Sequence, residues 1–229
     1  MATEAVLFDW GGTLTPWHTI DQMALWLAVC KPHFPDDHER QAEAAHDAEM
    51  RAWELSRSRG RSSTIFKVFD QAGIEPTDAL LASYQEQWAP HTLTDEAAAG
   101  MLGYLRSRNI RIGVLSNTLW PRDWHDGFFL RDGVLDLIDG SVYSSEIDWT
   151  KPRSEAFVAA MKAVGVTDPA RCVFVGDRPW DDIHGAKSVG MRAVLVPHSE
   201  VPPFDGARPD GVIGSLAELP ALIESWPDD

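Results

Sequence analysis

Short apolar runs alternate along the chain with longer stretches in which apolar residues recur at helical spacing. Four runs read as buried strands: 5–8, 110–116, 171–176 and 192–197. They are rich in valine or other β-branched residues and scarcely alternate with polar ones, as expected of strands covered on both faces. A weaker run, 141–145, lies between the second and third. Helical stretches at 95–109 and 154–165 separate the later runs, which predicts an α/β fold with a parallel sheet.

Residues 16–91 break this rhythm. They hold no convincing strand but several amphipathic helical runs, among them 19–30 and 36–59. The segments "TPWHT" (15–19) and "WAPHTLT" (88–94) bracket the block with proline and threonine, as linkers and hinges do. The expected organisation is a core from 1–15 and 92–229, with a helical domain inserted over 16–91. The closing "WPDD" reads as a frayed acidic tail.

Composition narrows the partners. The 229 residues carry a net charge of −15, from 35 acids against 20 bases. Non-specific nucleic-acid or anionic-membrane binding needs a basic face, so neither is expected. No apolar run approaches the roughly 18 residues of a membrane span, and no signal pattern opens the chain. The two cysteines, Cys30 and Cys172, read as free thiols of a reducing compartment, so a cytoplasmic location is expected.

Ligands of open α/β sheets bind beyond the carboxyl ends of the strands. Asp9, Gly11, Gly12 and Thr13 follow the first run, and Ser116-Asn117-Thr118 end the second. Lys151-Pro152 comes some distance after the weak run, and Gly176-Asp177 after the next, with Asp181 and Asp182 close behind. Singly, each has an ordinary reading as a turn residue, a helix cap or a solvated charge. Together they suit phosphoryl transfer to a carboxylate nucleophile, with Asp9 attacking phosphorus. Asp9 and Asp177 offer the hard oxygens that magnesium prefers. Ser116, Lys151 and the backbone N–H groups of the Gly11–Gly12 turn would hold the phosphoryl oxygens.

The segments "LFDWGGTLT", "VLSNT", "KPRSEAF" and "FVGDRPWDDIHGAKSVGM" resemble, in order and spacing, the four motifs of the haloacid dehalogenase superfamily of hydrolases. The branch is the one whose helical cap lies between the first two motifs. The segment "RPDGVIGSLAELPALI" is similar to that family's last strand and helix. The resemblance implies a Rossmann-like, doubly wound parallel sheet. It implies Asp9 as nucleophile, and Gly12, Ser116 and the Asn117 backbone at the phosphate. Lys151 would balance charge. Magnesium would lie on Asp9, the Gly11 carbonyl and Asp177, while Asp182 reaches metal through water or orients Lys151. Asp181 falls where the family often has asparagine and is left aside.

One position departs. Phosphatases of the family usually read D-x-D-x-T in the first motif, and the second Asp moves protons; here it is Gly11. Phosphonoacetaldehyde hydrolases have a similar "DWAGT" but need a Schiff-base lysine, and the insertion offers only Lys31 and Lys67, neither well matched. The 2-haloacid dehalogenases have a bulky aromatic residue there and lack the metal-site acid. Cation-pumping ATPases have threonine there and span membranes. Two principal readings stand, with C–P or C–halogen hydrolysis behind them. One is a magnesium-dependent phosphatase of a small phosphorylated metabolite, drawing its proton carrier from His18, Asp21, Asp123 or His125. The other is a weak or inactive member that binds phosphorylated ligands. Trp10, Trp120, Trp149 and Trp180 adjoin the motifs, either touching substrate or packing loops.

Overall fold

The computed structural model describes residues 3–197, 201–206 and 208–227. Strands β1 (Ala5–Phe8), β2 (Arg111–Ser116), β3 (Gly140–Tyr143), β4 (Cys172–Gly176), β5 (Arg192–Leu195) and β6 (Gly211–Val212) form one sheet. Its order is β3-β2-β1-β4-β5-β6, and every pairing is parallel. Phe8 pairs with Val114 on one side and Val175 on the other. The chain therefore leaves β1 between the ends of β2 and β4, where the sheet order reverses. That switch point is where an open α/β sheet offers a crevice.

All of β1 is buried, and its side chains alternate between two clusters. Val6 and Phe8 join one, Ala5 and Leu7 the other. Residues 16–91 contain α1 (Gln22–Cys30), α2 (His38–Arg59), α3 (Ile65–Ala72) and α4 (Asp78–Trp88), with no strand. Helices α5 (Ala98–Ser107), α6 (Arg122–Arg131) and, further on, α9 (Leu219–Glu224) cover the first face of the sheet. Helices α7 (Ser154–Ala163) and α8 (Gly185–Ser188) cover the second. The doubly wound α/β class is as expected.

Boundaries shift where polar side chains intervene. The 95–109 helix begins only at Ala98, because the Asp95 carboxylate accepts the Ala97 N–H at 2.8 Å and holds a turn. Helix α1 likewise begins after Asp21, whose carboxylate accepts from Ala24 N at 2.9 Å. The end of the chain is not simply frayed: Trp226 packs on the core, with the Arg192 guanidinium 4.9 Å from its ring centre. Asp228 and Asp229 of that tail lie outside the described residues.

The insertion shares its hydrophobic core with the sheet. Trp26, Phe69 and Tyr84 from 16–91 belong to the same cluster as Val6, Phe8 and Trp120. The segment after α2 docks on two core loops: Ile65 N donates to Leu119 O at 2.7 Å and Thr150 N to Gly60 O at 3.1 Å. The Ser56 hydroxyl donates to Thr150 Oγ1 at 3.0 Å. Both cysteines are free and buried. No described helix is long and apolar enough to cross a membrane.

Candidate active site

Asp9 continues the sheet for one residue, its N–H donating to Val175 O at 2.9 Å. That bond fixes its buried carboxylate at the strand ends. Lys151, fully sequestered, donates from Nζ to Asp9 Oδ1 and to Asp182 Oδ1, both at 2.6 Å. Asn117 places the lysine from behind: its Oδ1 accepts Lys151 N at 2.8 Å, and its Nδ2 donates to Lys151 O at 3.0 Å. Its side chain is thereby spent on position. Asp182 is fixed at its other oxygen, which accepts Arg178 N at 2.9 Å. Gly176 permits this approach, because a Cβ there would lie 2.4 Å from the Asp182 carboxyl carbon.

Asp177 differs from its neighbours. Both carboxylate oxygens are buried and neither has a hydrogen-bond partner. Oxygens of Asp9, Asp177 and Asp182 lie within 4.8 Å of one another. Burial, with the charges of Asp9 and Asp182, pushes the Asp177 carboxyl up to about 9. Burial pushes Asp182 up to about 7, Lys151 opposing and Asp9 adding to the rise. Burial works against the Lys151 ammonium, but Asp182 and Asp9 outweigh it and hold its pKa above the usual lysine range. Three carboxylates share the Lys151 ammonium, with Arg178 the other nearby cation, yet neither cation hydrogen-bonds to Asp177, and an unpartnered acid in a dry site is costly. An acidic pair of oxygens without donors is what a hard divalent cation needs.

Glycines 11 and 12 play unequal parts. Gly12 has φ +84°, and a Cβ on it would sit 2.7 Å from Asp177 Oδ2; its N–H donates to Thr15 O at 2.8 Å. Gly11 has ordinary negative-side backbone, and a Cβ there would meet nothing within 4 Å.

The site opens into a cavity of about 410 Å³, walled on one side by Asp9, Ser116, Asn117 and Lys151 and on the other by the insertion. Of the four expected proton carriers, His18 lines it. Asp21 caps α1, Asp123 is exposed, and His125 is sealed within the core. Trp10 and Trp120 line the cavity. Trp149 instead lies under the Arg61 guanidinium at 3.9 Å, and Trp180 stacks on His184 at 4.5 Å.

The comparison with known families now decides the ancestry: a model of haloacid dehalogenase-like hydrolases matches residues 3–190. The chain belongs to that family. The chain is 36% identical, over 92 residues, to a glyceraldehyde 3-phosphate phosphatase of Methanothermobacter thermautotrophicus. The match covers 40% of the chain but only 39% of that relative's length. It is 28% identical over 198 residues to a phosphoglycolate phosphatase of Synechococcus elongatus, covering 84% of this chain and 83% of that one. A solved HAD phosphatase from Thermococcus onnurineus superposes with a TM-score of 0.71 at 22% identity, covering 96% of this chain and 98% of that one, which shows the shared fold.

Several cavity residues of the hydrolase were not singled out from sequence: Trp17, Glu49, Trp53, Trp88 and His91. His91 stands across from His18, their ring centres 5.1 Å apart. One signal was available for Glu49. It falls in line with Ala42, Ala45, Ala52 and Ser56 on the buried face of α2, where a solvated acid has no place.

Proposed function

We propose that this hydrolase is a magnesium-dependent phosphatase of small phosphate monoesters, working through an aspartyl phosphate on Asp9. The observation that carries the reading is the bare, buried Asp177 carboxylate beside a nucleophile-like Asp9 held by Lys151. Two named relatives are phosphatases. Asp9, Asp177 and the Gly11 carbonyl would hold the metal, with Asp182 orienting Lys151. When bound, magnesium offsets the repulsion between an anionic carboxylate and an anionic phosphoryl group.

Lys151 and Asn117 hold Asp9 in line. The Ser116 hydroxyl and the N–H groups of Gly11 and Asn117 receive the phosphoryl oxygens, in place of the expected Gly12 N–H, which donates to Thr15 O. An Asp9 oxygen bonds to phosphorus as the ester P–O bond breaks, and the departing oxygen takes a proton from the cavity. Water then attacks phosphorus and gives up its proton, the P–O bond to Asp9 breaks, and inorganic phosphate leaves. Residues 16–91 serve as a cap over this chemistry, hinged at 15–19 and 90–94.

Gly11 supports the second reading, a binding protein with little turnover, since no carboxylate occupies the usual proton-transfer position. A panel of phosphate monoesters, assayed with magnesium and with excess chelator, separates the two. Magnesium-dependent turnover is expected. Asp9→Asn should lower it by roughly 10⁶-fold, the scale of losing a covalent nucleophile. Turnover that survives either chelator or Asp9→Asn overturns the mechanism, and no turnover of any ester favours the binding protein.

A further inference from the structure

The cavity has a second charged pole, on the insertion. Glu49 is 2% exposed and lines the same cavity as Asp9. Its carboxylate accepts the Trp26 indole N–H at 2.6 Å and the Trp53 indole N–H at 3.4 Å. Both donors are neutral. Among the described residues Glu49 forms no salt bridge. The basic residues that share the cavity are engaged elsewhere. Lys151 serves Asp9 and Asp182, Arg57 pairs with Glu54, and the Arg178 guanidinium lies over the Trp17 ring, 5.5 Å from its centre. Burial raises the Glu49 pKa, with the indole hydrogen bonds and the His46 charge opposing, and a cation brought beside it would relieve that cost of burial.

Aromatic faces surround the same space. Trp53, Trp88 and Trp120 line it, with Trp88 and Trp120 ring centres 5.0 Å apart. Tyr84 backs them, accepting the Trp120 indole N–H at 3.1 Å; burial, with the Glu49 charge second, raises its phenol. Indole faces attract cations and carry apolar substituents equally well. A carboxylate without a salt-bridge partner, set among such faces, is complementary to an organic ammonium. It is repellent to a second anion.

We propose that this pole binds an ammonium group, and that the leaving group of the physiological ester carries it while the phosphoryl group lies at Asp9. The second half rests on the phosphatase reading; the first does not. Esters whose leaving group bears a carboxylate are disfavoured by the same charge.

The test compares choline with 3,3-dimethylbutanol, the neutral carbon isostere of the same shape, by tryptophan fluorescence titration of the intact protein. Choline should bind roughly 10-fold or more tightly, and Glu49→Gln should abolish the difference. Equal affinities in the wild type overturn the proposal, whether or not the variant folds. A preference that persists in folded Glu49→Gln overturns it too. Phosphocholine and 3,3-dimethylbutyl phosphate are then compared as substrates, where a similar ratio in kcat/KM is expected. An equal kcat/KM removes the ammonium from the leaving group. If neither ester nor any other is hydrolysed while choline still binds, the phosphatase reading fails and the cation site stands.

Discussion

The turn after β1 and the loop after β2 leave the same end of the sheet, yet they treat proton-carrying positions in opposite ways. At Gly11 a side chain would find open space, and the backbone is one that any residue adopts. At His125, nine residues beyond the end of β2, an imidazole is present but sealed. It stacks on Tyr143 at 4.3 Å, stands edge-on to Trp10 at 4.7 Å and lies 3.1 Å from Thr118 Oγ1 through Nε2. Burial, with the Arg122 charge second, brings its pKa down to about 3. The place for a proton carrier is empty, and a nearby carrier is walled off. Access to the cavity decides which group can serve, and distance along the chain does not.

The largest effect is expected from filling the open place. Gly11→Asp should fold and bind magnesium, since nothing obstructs the side chain. With an aryl phosphate, the parent should show a burst of product followed by slow turnover, because in the proposed mechanism hydrolysis of the aspartyl phosphate lacks its acid–base group. The variant should speed that slow phase by about 10²–10⁴-fold, the usual contribution of a positioned acid or base. Stopped-flow comparison of the two phases checks this. An unchanged slow phase in a folded variant means that another group, such as cavity-lining His18, already moves the proton.

A smaller effect should mark the sealed position. His125 has a folded-state pKa below its unfolded value of about 6.5, so its contribution to stability is fully present above that pH. It is lost as pH falls toward the folded pKa, by up to about 1.4 kcal/mol per pH unit. His125→Gln keeps a donor near Thr118 without the titration. Urea unfolding at pH 7.5 and 5 should show a shallower acid loss in the variant than in the wild type. Equal slopes would mean that His125 is solvated and open to the cavity after all.

Much of the strand-end site was legible because strands are short and their exits are fixed. Once 5–8, 110–116 and 171–176 were read as parallel neighbours, Asp9, Ser116 and Asp177 had to gather at one end of the sheet. Lys151 follows no strand directly, only at some distance after the weak run, so the strand exits placed it loosely; the structure gives the local cause, the Asn117 side chain clamping both backbone groups of the lysine. The insertion was legible as helix but not as wall. Which helical face meets the cavity depends on docking across 60–65 and 147–150, contacts between segments remote in sequence. Trp53 and Trp88 therefore gave no local sign of their role, and His125 gave a misleading one. Even the adjacent glycines could not be ranked from sequence, because only the fold brings Asp177 against one of them.

That ranking makes the finest test of the contrast, with the smallest expected change. Alanine at position 11 should alter stability by less than about 0.5 kcal/mol, as at other unobstructed positions. Alanine at position 12 must place a Cβ in a left-handed conformation and 2.7 Å from an Asp177 oxygen. The conformational strain alone is worth about 1–3 kcal/mol, and relief by swinging the Asp177 carboxylate would spoil the proposed magnesium site. Gly12→Ala should thus lose both stability and the rise in melting temperature that magnesium gives the parent, while Gly11→Ala keeps both. If the two alanines behave alike, the turn is soft enough to rebuild itself. The open space at position 11 would then no longer explain why an aspartate there should work.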